Sequence, residues 1–555
     1  MTPAPGGNLS DAKRALLLRR LQQKRTEKAN RERIVPTPRD GRLPCTYQQE
    51  GLWFLHQLDP ASTVYHVPYA FRLRGELDPD ALSQALADLV ARHESLRSRF
   101  GSEQGVLYQV VDQAPAEWPL PVEELPDGAG EDAVRAWASE HGYRPFNLAT
   151  GPLFVTRLLR LAPDEHLLML VWHHIMMDGW SSGLLMNELA TLYDAARAGV
   201  AAELPPLEVQ PVDHAAWQRR RLTGENLERE LTYWREKLDG LQPVNFPADR
   251  ARPAQPTGAG AMFTMEVPSS VVAPVRDLAR VEGVSFLAAL QAAFLTVLSR
   301  YTGQTDLAVG SVFSGRTRSE IEPLLGFFVN PLVLRVSTDG NPTYRELVRR
   351  CSDTVLDATA HQDVPFSVVV DALRPERVPG RNPLFQISLT LQAAGTSGSL
   401  RLGEAEVEFS NLDARYSRFD LGLYVTERPD GALDLLVEYS TELYDEDRIR
   451  RLVEHLGMVL RAVGPDPDVR LDDVDVVSPA ERTLMLRDWN PAPVSRGGPR
   501  LLHQVFAASA QHAPHAVAMR FRGEDLSYQD LDLRSSQLGH VLADEYGVGP
   551  GSVVG

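Results

Sequence analysis

Cysteine is almost missing from this chain of 555 residues: Cys45 and Cys351 are the only two. Two thiols cannot build the disulfide framework of a small secreted protein. The N-terminus also lacks the basic start, apolar stretch and small-residue cleavage site of a secretion signal. These absences lead to the expectation of a reducing, cytoplasmic location. Long apolar runs are absent as well. The most apolar one, Val284 to Leu298, has 15 residues and is interrupted by Ser285, Gln291 and Thr296, which suits a buried helix rather than a membrane span. Lysine is scarce, with Lys13, Lys24, Lys28 and Lys237 against 53 arginines, a bias that reads as a GC-rich coding genome. Net positive charge is missing too. The 57 cations face 74 anions, for −17, which argues against a globally basic nucleic-acid binder. Neither a nucleic acid nor a membrane is expected as a partner.

What is present is the composition of a soluble globular protein, 43% hydrophobic and 24% charged, in a chain long enough for about three or four domains. The charge is unevenly placed. Residues 1–42 carry 11 basic and 4 acidic side chains, so this arm is +7 and the remainder −24. Within it, Leu9 to about Arg33 reads as a helix capped by Ser10 or Asp11, either a solvated basic arm or a docking helix for an acidic partner polypeptide. Pro36, Pro38 and Gly41 end it. Over 43–221, strand-like PYAFRLRG (68–75) and HLLMLVWHH (166–174) alternate with helical DPDALSQALADLVARHESLRSRF (78–100) and SSGLLMNELATLYDAARAG (181–199). The same grammar returns over 222–465, with strands at 261–268, 306–313 and 327–336 and helices at 270–282, 285–300 and 343–359. This α+β pattern implies two comparable lobes. Residues 466–500, rich in Asp, Pro and Arg, read as a linker. In 501–555 a helical LLHQVFAASAQHAP and an alternating AVAMRFRGEDLSYQDL follow, too short a remnant for a complete enzyme domain.

Chemistry concentrates in Trp172-His173-His174-Ile175-Met176-Met177-Asp178-Gly179-Trp180. A strand delivers two histidines to its carboxyl end. Side chains alternate across a strand, so one imidazole packs inward while its neighbour faces a cleft. His173 is expected in the core and His174 in the cleft. Asp178 either orients that imidazole or ties the loop to a distant arginine. No metal site is expected, because adjacent strand histidines face opposite ways and no second His/Cys/Glu cluster completes a ligand set.

Seven texts stand in order along about 340 residues. They are Thr46-Tyr47-Gln48-Gln49-Glu50-Gly51-Leu52-Trp53, RHESLRSRF (92–100), HHxxxDGW from His173, and Asp213-His214-Ala215-Ala216-Trp217. Gly326-Phe327-Phe328-Val329-Asn330, His361-Gln362-Asp363-Val364-Pro365-Phe366 and Arg381-Asn382-Pro383-Leu384-Phe385 complete them. Together they resemble the motifs of nonribosomal peptide synthetase condensation domains. The resemblance implies a fold of two chloramphenicol-acetyltransferase-like lobes in a V-shaped pseudo-dimer with a tunnel between them. It implies amide formation between a donor acyl thioester and an acceptor aminoacyl thioester, both borne on 4′-phosphopantetheine arms of carrier proteins. No cofactor is expected on this chain itself.

The same resemblance marks His173, His174, Asp178 and Gly179 as the catalytic segment. His174 is implied as a base, an orienting acceptor or a stabiliser of the tetrahedral intermediate, and the Gly179 N–H as a donor to the oxyanion. Asp178 is expected to pair across the lobes with Arg316, or as second choice with Arg335. Trp180, Arg97, Asn330, Gln362 and Asp363 are expected among the tunnel and motif residues. The DxxxxD pattern of heterocyclising relatives is absent, and Trp180 directly follows Gly179, unlike in epimerising ones. RHESLRSRF and HQDVPF look most like the subclass joining two L-configured units. Gln48, Gly51, Pro331 and Ser367 depart from the family pattern. Alternatives are an ester-forming or lipid- or polyketide-accepting enzyme and a noncatalytic recruitment domain.

In the tail, Leu501, His503, Val505 and Phe506, then Ala516-Val517-Ala518 and Leu526-Ser527-Tyr528-Gln529-Asp530-Leu531, resemble the start of an adenylation domain. Its phosphate loop would lie beyond Gly555, so no adenylation activity is expected. The partners expected are donor and acceptor carriers, an upstream synthetase or polyketide synthase polypeptide met by the arm, and the rest of the adenylation domain.

Overall fold

The computed structural model describes residues 33–126, 130–376, 378, 380–392, 400–410, 415–490 and 501–555. The helix expected over 9–33 falls almost entirely outside them, as does the end of the expected linker. The first lobe has strands β1 (His66–Arg74), β2 (Val122–Glu124), β3 (Phe154–Ala162) and β4 (Glu165–His173). Its helices are α1 (Tyr47–Leu58), α2 (Pro79–Arg92), α3 (Glu131–Gly142) and α4 (Gly179–Ala198). β4 lies between antiparallel β1 and β3, and its two faces enter different cores. Leu168, Leu170 and Trp172 join Leu82, Leu86 and Leu89 of α2 and Leu185 and Leu189 of α4. Leu167, Met169 and Val171 join Val134, Trp137 and Ala138 of α3. A strand covered on both faces reads as a continuous apolar run, which is why HLLMLVW shows no alternation. The helix expected over 78–100 ends earlier. His93 leaves helical geometry (φ −107°, ψ 109°), and a short turn leads into a strand at Ser98–Glu103.

The second lobe repeats the scheme with β5 (Gly260–Val267), β6 (Asp306–Phe313), β7 (Asn330–Ser337) and β8 (Ile387–Gln392). After a hairpin of β9 (Arg401–Leu402) and β10 (Ala405–Ser410) come β11 (Leu421–Glu427) and β12 (Leu433–Ser440). Six of these strands form one sheet, in the order β7-β6-β8-β11-β12-β5. The 15-residue apolar run becomes α5 (Phe286–Thr302), on which Ala288, Ala289, Ala292, Ala293, Phe294 and Leu295 are all fully buried. Ser285 caps its start by accepting the Ala288 N–H, and Gly303, at φ 68°, ends it. No helix among the described residues is long and apolar enough to cross a membrane.

The hairpin departs from the division expected at residue 221. β9 and β10 come from the second half of the chain but complete the first sheet, β9-β10-β1-β4-β3-β2, with Phe409 opposite Phe71. Without them β1 would present a row of unpaired N–H and C=O groups, so edge satisfaction ties the lobes together. The expected linker also begins late. Leu471 and Val474 are buried in the second lobe's core, and the compact unit runs to Val476.

A second unit starts at Val477 and holds helix Leu502–His512, the hairpin Val517–Phe521 and Glu524–Ser527, and helix Tyr528–Tyr546. The text YQDL, read with the alternating strand, opens that last helix instead, because Ser527 Oγ accepts the Asp530 N–H at 3.1 Å.

The packing of α5 is directly testable. Phe294 is 0% exposed at the centre of the larger core. Phe294→Ala should lower unfolding free energy by about 3–5 kcal/mol, read as a shift in urea midpoint, because the cavity cannot collapse between helix and sheet.

Candidate active site

The first lobe's sheet ends at the histidine pair, and the chain turns there. His173 sits opposite His66 in the register of β1 and β4 and is 2% exposed. The rings of His56, His66 and Phe146 stand 5.8, 5.9 and 6.4 Å from it, so its imidazole is part of a packed aromatic pile. Its Nδ1 accepts the Ile175 N–H at 3.2 Å, which locks the ring as neutral. Burial first, and then His66 and His56, push its pKa down to about 2.

His174 faces the other way. Its backbone N–H donates to Tyr65 O at 2.8 Å. Its Nδ1 stands 3.0 Å from the Met177 carbonyl, which can only accept, so Nδ1 carries the proton and Nε2 keeps its lone pair. Phe327 of the second lobe meets the ring edge-on at 5.1 Å. Burial lowers the His174 pKa to about 4, helped by the positive charge of Arg418 and opposed by Asp178. The two adjacent histidines therefore differ in place: one is core, the other a neutral imidazole at the junction of the lobes.

Asp178 does not hydrogen-bond that imidazole among the described contacts; it holds the loop. Its carboxylate caps α4 by accepting the Ser181 N–H at 3.0 Å. The other oxygen accepts from Arg316 Nη1 at 2.8 Å and from the Phe328 N–H at 3.0 Å. Arg316 also donates to Ser181 Oγ at 2.9 Å and to Leu324 O at 3.0 Å. Both charged side chains are essentially sealed, at 0% and 1% exposed. Gly315 makes this approach possible: at φ 65°, a Cβ there would lie 2.0 Å from Phe328 O. Arg335, the second-choice partner, is paired with Asp306 at 2.7 Å instead.

Gly179 is the first residue of α4, where an N–H has no acceptor inside the helix. A Cβ there would meet nothing within 4 Å, so open space adjoins the first helical turn. Trp180 is exposed, with the Arg316 guanidinium 5.8 Å from its ring. The other motif residues are engaged elsewhere. Arg97 donates to the carbonyls of Val90, Ala91 and Asp112, closing the end of α2. Asn330 donates to Gln362 O and Val364 O and accepts the Phe366 N–H, which binds β7 to the HQDVPF turn. Gln362 donates to Thr359 O, and Asp363 pairs with Arg221 at 2.9 Å. Arg97 thus supports the first lobe and Asn330, Gln362 and Asp363 the second, and none of these contacts is with the histidine pair.

Sequence reasoning missed Ser181, Tyr65, the His56–His66 pile and Arg418. Only Ser181 left a readable signal, since Asp178-x-x-Ser181 has the spacing of a helix cap. The others depend on strand register and on long-range closure.

Residues 40–486 match a family model described as the condensation domain. A linear gramicidin synthase of Brevibacillus parabrevis is 38% identical over 517 residues, covering 92% of this chain and 7% of that protein. Chondramide synthase of Chondromyces crocatus is 38% identical over 527 residues, covering 94% of this chain and 13% of that protein. The chain thus spans a small part of the curated relatives it matches. Among solved structures, the X-domain from teicoplanin biosynthesis has 30% identity and a TM-score of 0.72, covering 80% of this chain and 100% of that one. The first condensation domain of the CDA synthetase shares the fold, with a TM-score of 0.68 at 22% identity, again over 80% and 100% of the two chains.

Two outcomes follow from this geometry. Asp178→Ala leaves the Arg316 charge buried without its partner, so stability should fall by about 3–5 kcal/mol together with any activity. A soluble, inactive variant that melts like the parent in calorimetry contradicts this structural role. The second outcome concerns acid. His66, His173 and His214 are buried, with pKa values lowered to about 4, 2 and 3, first by burial in each case. They take up protons more readily once unfolded, so their contribution is complete above the unfolded value of 6.5. It is lost as pH falls from there toward the folded values, at about 1.4 kcal/mol per pH unit for each histidine. Urea midpoints taken from neutral pH down to about pH 5 should decline accordingly, and a flat profile refutes it.

Proposed function

The chain belongs to the condensation-domain family of nonribosomal peptide synthetases, its two sheets being chloramphenicol-acetyltransferase-like lobes, and from this premise we propose that it forms an amide between two carrier-bound thioesters. The α-amine of the acceptor aminoacyl thioester attacks the donor carbonyl. A C–N bond forms, the C–S bond breaks, and the donor arm leaves as a free thiol. The observation that carries this reading is the state of His174: a neutral ring with Nδ1–H held by the Met177 carbonyl and Nε2 available as an acceptor, beside the lobe junction. In this role His174 Nε2 accepts the proton of the attacking amine, an effect of about 10²–10⁴-fold for a positioned base. Holding both arms in line contributes as much or more, because a thioester is already activated and a neutral amine is a competent nucleophile. Asp178 and Arg316 hold the loop, and the Gly179 N–H at the start of α4 is the proposed donor to the oxyanion.

The arms are 4′-phosphopantetheine groups of donor and acceptor carrier proteins, which enter from opposite ends of a tunnel between lobes arranged in a V. The basic arm of residues 1–42 meets an upstream synthetase or polyketide synthase polypeptide, and the whole works in the cytoplasm. Residues 501–555 open an adenylation domain whose remainder is a further partner. In support, Val505, Val517, Phe521, Leu533 and Leu538 leave apolar faces of that unit exposed, as elements of an incomplete core do.

A second reading, a recruitment platform without catalysis, draws on the likeness to the teicoplanin X-domain. One experiment separates them. With both carriers loaded, the parent chain should yield carrier-bound dipeptide by mass spectrometry, and His174→Ala should abolish product while loading stays normal. Full activity in His174→Ala removes the role given to that residue. Neither amide nor ester from the parent chain with any amine, alcohol or acyl donor favours the platform.

A further inference from the structure

Arg418 lies outside every motif of the sequence, yet the fold fixes its backbone. Its N–H donates to Glu438 Oε1 at 2.7 Å, and its carbonyl accepts from Asn382 Nδ2 at 2.7 Å. The preceding Ser417 donates its N–H to Gly258 O at 2.9 Å and its Oγ to Phe419 O at 2.6 Å. Gly260 passes so close beneath this turn that a Cβ there would come within 2.4 Å of Ser417 N. Asn382 of the RNPLF text is therefore a clamp on the backbone that carries Arg418.

The side chain is held more loosely. Tyr424 of β11 lies close enough to act on its charge, and Nη1 stands 3.8 Å from Glu438 Oε2, beyond hydrogen-bond reach. Nε is buried and has no hydrogen-bond partner among the described residues. Although Tyr65, Tyr424 and Glu438 surround it, the side chain is still 31% exposed. A cation with spare donors and an open flank inside a walled space is equipped to meet a ligand.

The turn that carries Arg418 abuts the first lobe: Tyr416 meets Tyr143 edge-on at 5.9 Å, and a Cβ on Gly258, whose carbonyl holds the Ser417 N–H, would lie 3.3 Å from Val64, next to Tyr65. Arg418 exerts the strongest charge effect on the His174 imidazole, and it acts on the Tyr65 side chain, whose backbone carbonyl holds the His174 N–H. The groups around His174 are Arg418 from the second lobe, Asp178 and the Met177 carbonyl from its own loop, and the Phe327 ring, while His173 points away into the core. Arg418 opposes protonation of the imidazole, whereas Asp178 favours it.

When an amine attacks a thioester, the carbonyl π electrons move onto oxygen, and a fixed donor there stabilises the charge until the C–S bond breaks. We propose, on the amide-forming reading above, that Arg418 is a charge-stabilising residue of the reaction centre, presented by the second lobe to donate an N–H to the acyl oxygen. The amine proton passes to His174 Nε2 and from there to the sulfur as the C–S bond breaks, so the donor arm leaves as the thiol, His174 returns to its neutral form, and Arg418 keeps its protons throughout.

The test uses the whole chain with both carriers loaded. Arg418→Met should slow dipeptide formation about 10²–10³-fold, as loss of an oxyanion donor does, and Arg418→Lys should restore part of the rate. NMR of isotopically labelled histidine, with His174 assigned through His174→Ala, gives a readout that a structural role would not move. The His174 midpoint should rise in Arg418→Met and hold its place in Arg418→Lys. Should Arg418→Met fail to fold, Arg418→Gln, which keeps donors but no charge, carries the same two readouts. Near-parental turnover or an unmoved midpoint overturns the inference while the amide-forming reading stands. A parent chain that forms no amide removes both.

Discussion

The arrangement of the candidate site depends on one buried ion pair, Asp178 with Arg316. A pair sealed from water gives little net stability, since desolvation offsets most of the attraction. What it gives is position, provided every lone pair and proton is met. Asp178 meets that condition with two acceptances on each side: Ser181 N–H and Oγ on one oxygen, Arg316 and the Phe328 N–H on the other. Because Asp178 also caps α4, the pair welds the start of that helix to the 314–328 loop of the second lobe. The Asp178 N–H donates to Gly326 O, so the attachment includes the backbone. Moving either lobe would strand a charge.

From that weld the histidine loop inherits its shape. Met177, next to the anchored Asp178, presents the carbonyl that fixes the His174 tautomer. The GFFVN text contributes from the opposite side. Phe327 lies against His174, while Phe328 packs on Arg316 at 4.5 Å and on His214 at 5.1 Å. Consecutive aromatic residues thus face opposite partners, one touching the His174 imidazole and the other insulating the ion pair. Ile34 packs in the same cluster as Phe328 and Trp217, which brings the later part of the basic arm into mechanical continuity with the site.

Much of this was legible in the chain. Alternation located β1, the continuous apolar run located β4, and strand geometry alone predicted that His173 and His174 would have separate fates. The motif order carried the family, and the pairing of Asp178 with Arg316 came with that resemblance, since the residues themselves left open whether Asp178 would orient His174 or reach a distant arginine. Three things were not legible. The β9–β10 hairpin completes a sheet some 330 residues earlier in the chain, a choice set by an unsatisfied edge and not by local pattern. The histidine pile around His173 needs the β1–β4 register. Arg418 has no local signature, for its place is determined by Asn382, Gly260 and Glu438 converging from three segments.

The charges around His174 also bear on the role proposed for it. A carboxylate four residues away would ordinarily strengthen an imidazole's hold on a proton. Here Arg316 pairs with that carboxylate at 2.8 Å and Arg418 adds positive charge from the second lobe, so burial prevails and holds the pKa down at about 4. Such a group is always unprotonated near neutral pH but only weakly basic. On the amide-forming reading this suffices, because the attacking amine becomes strongly acidic once its nitrogen bonds to the acyl carbon, and the main demand then falls on positioning rather than on proton abstraction.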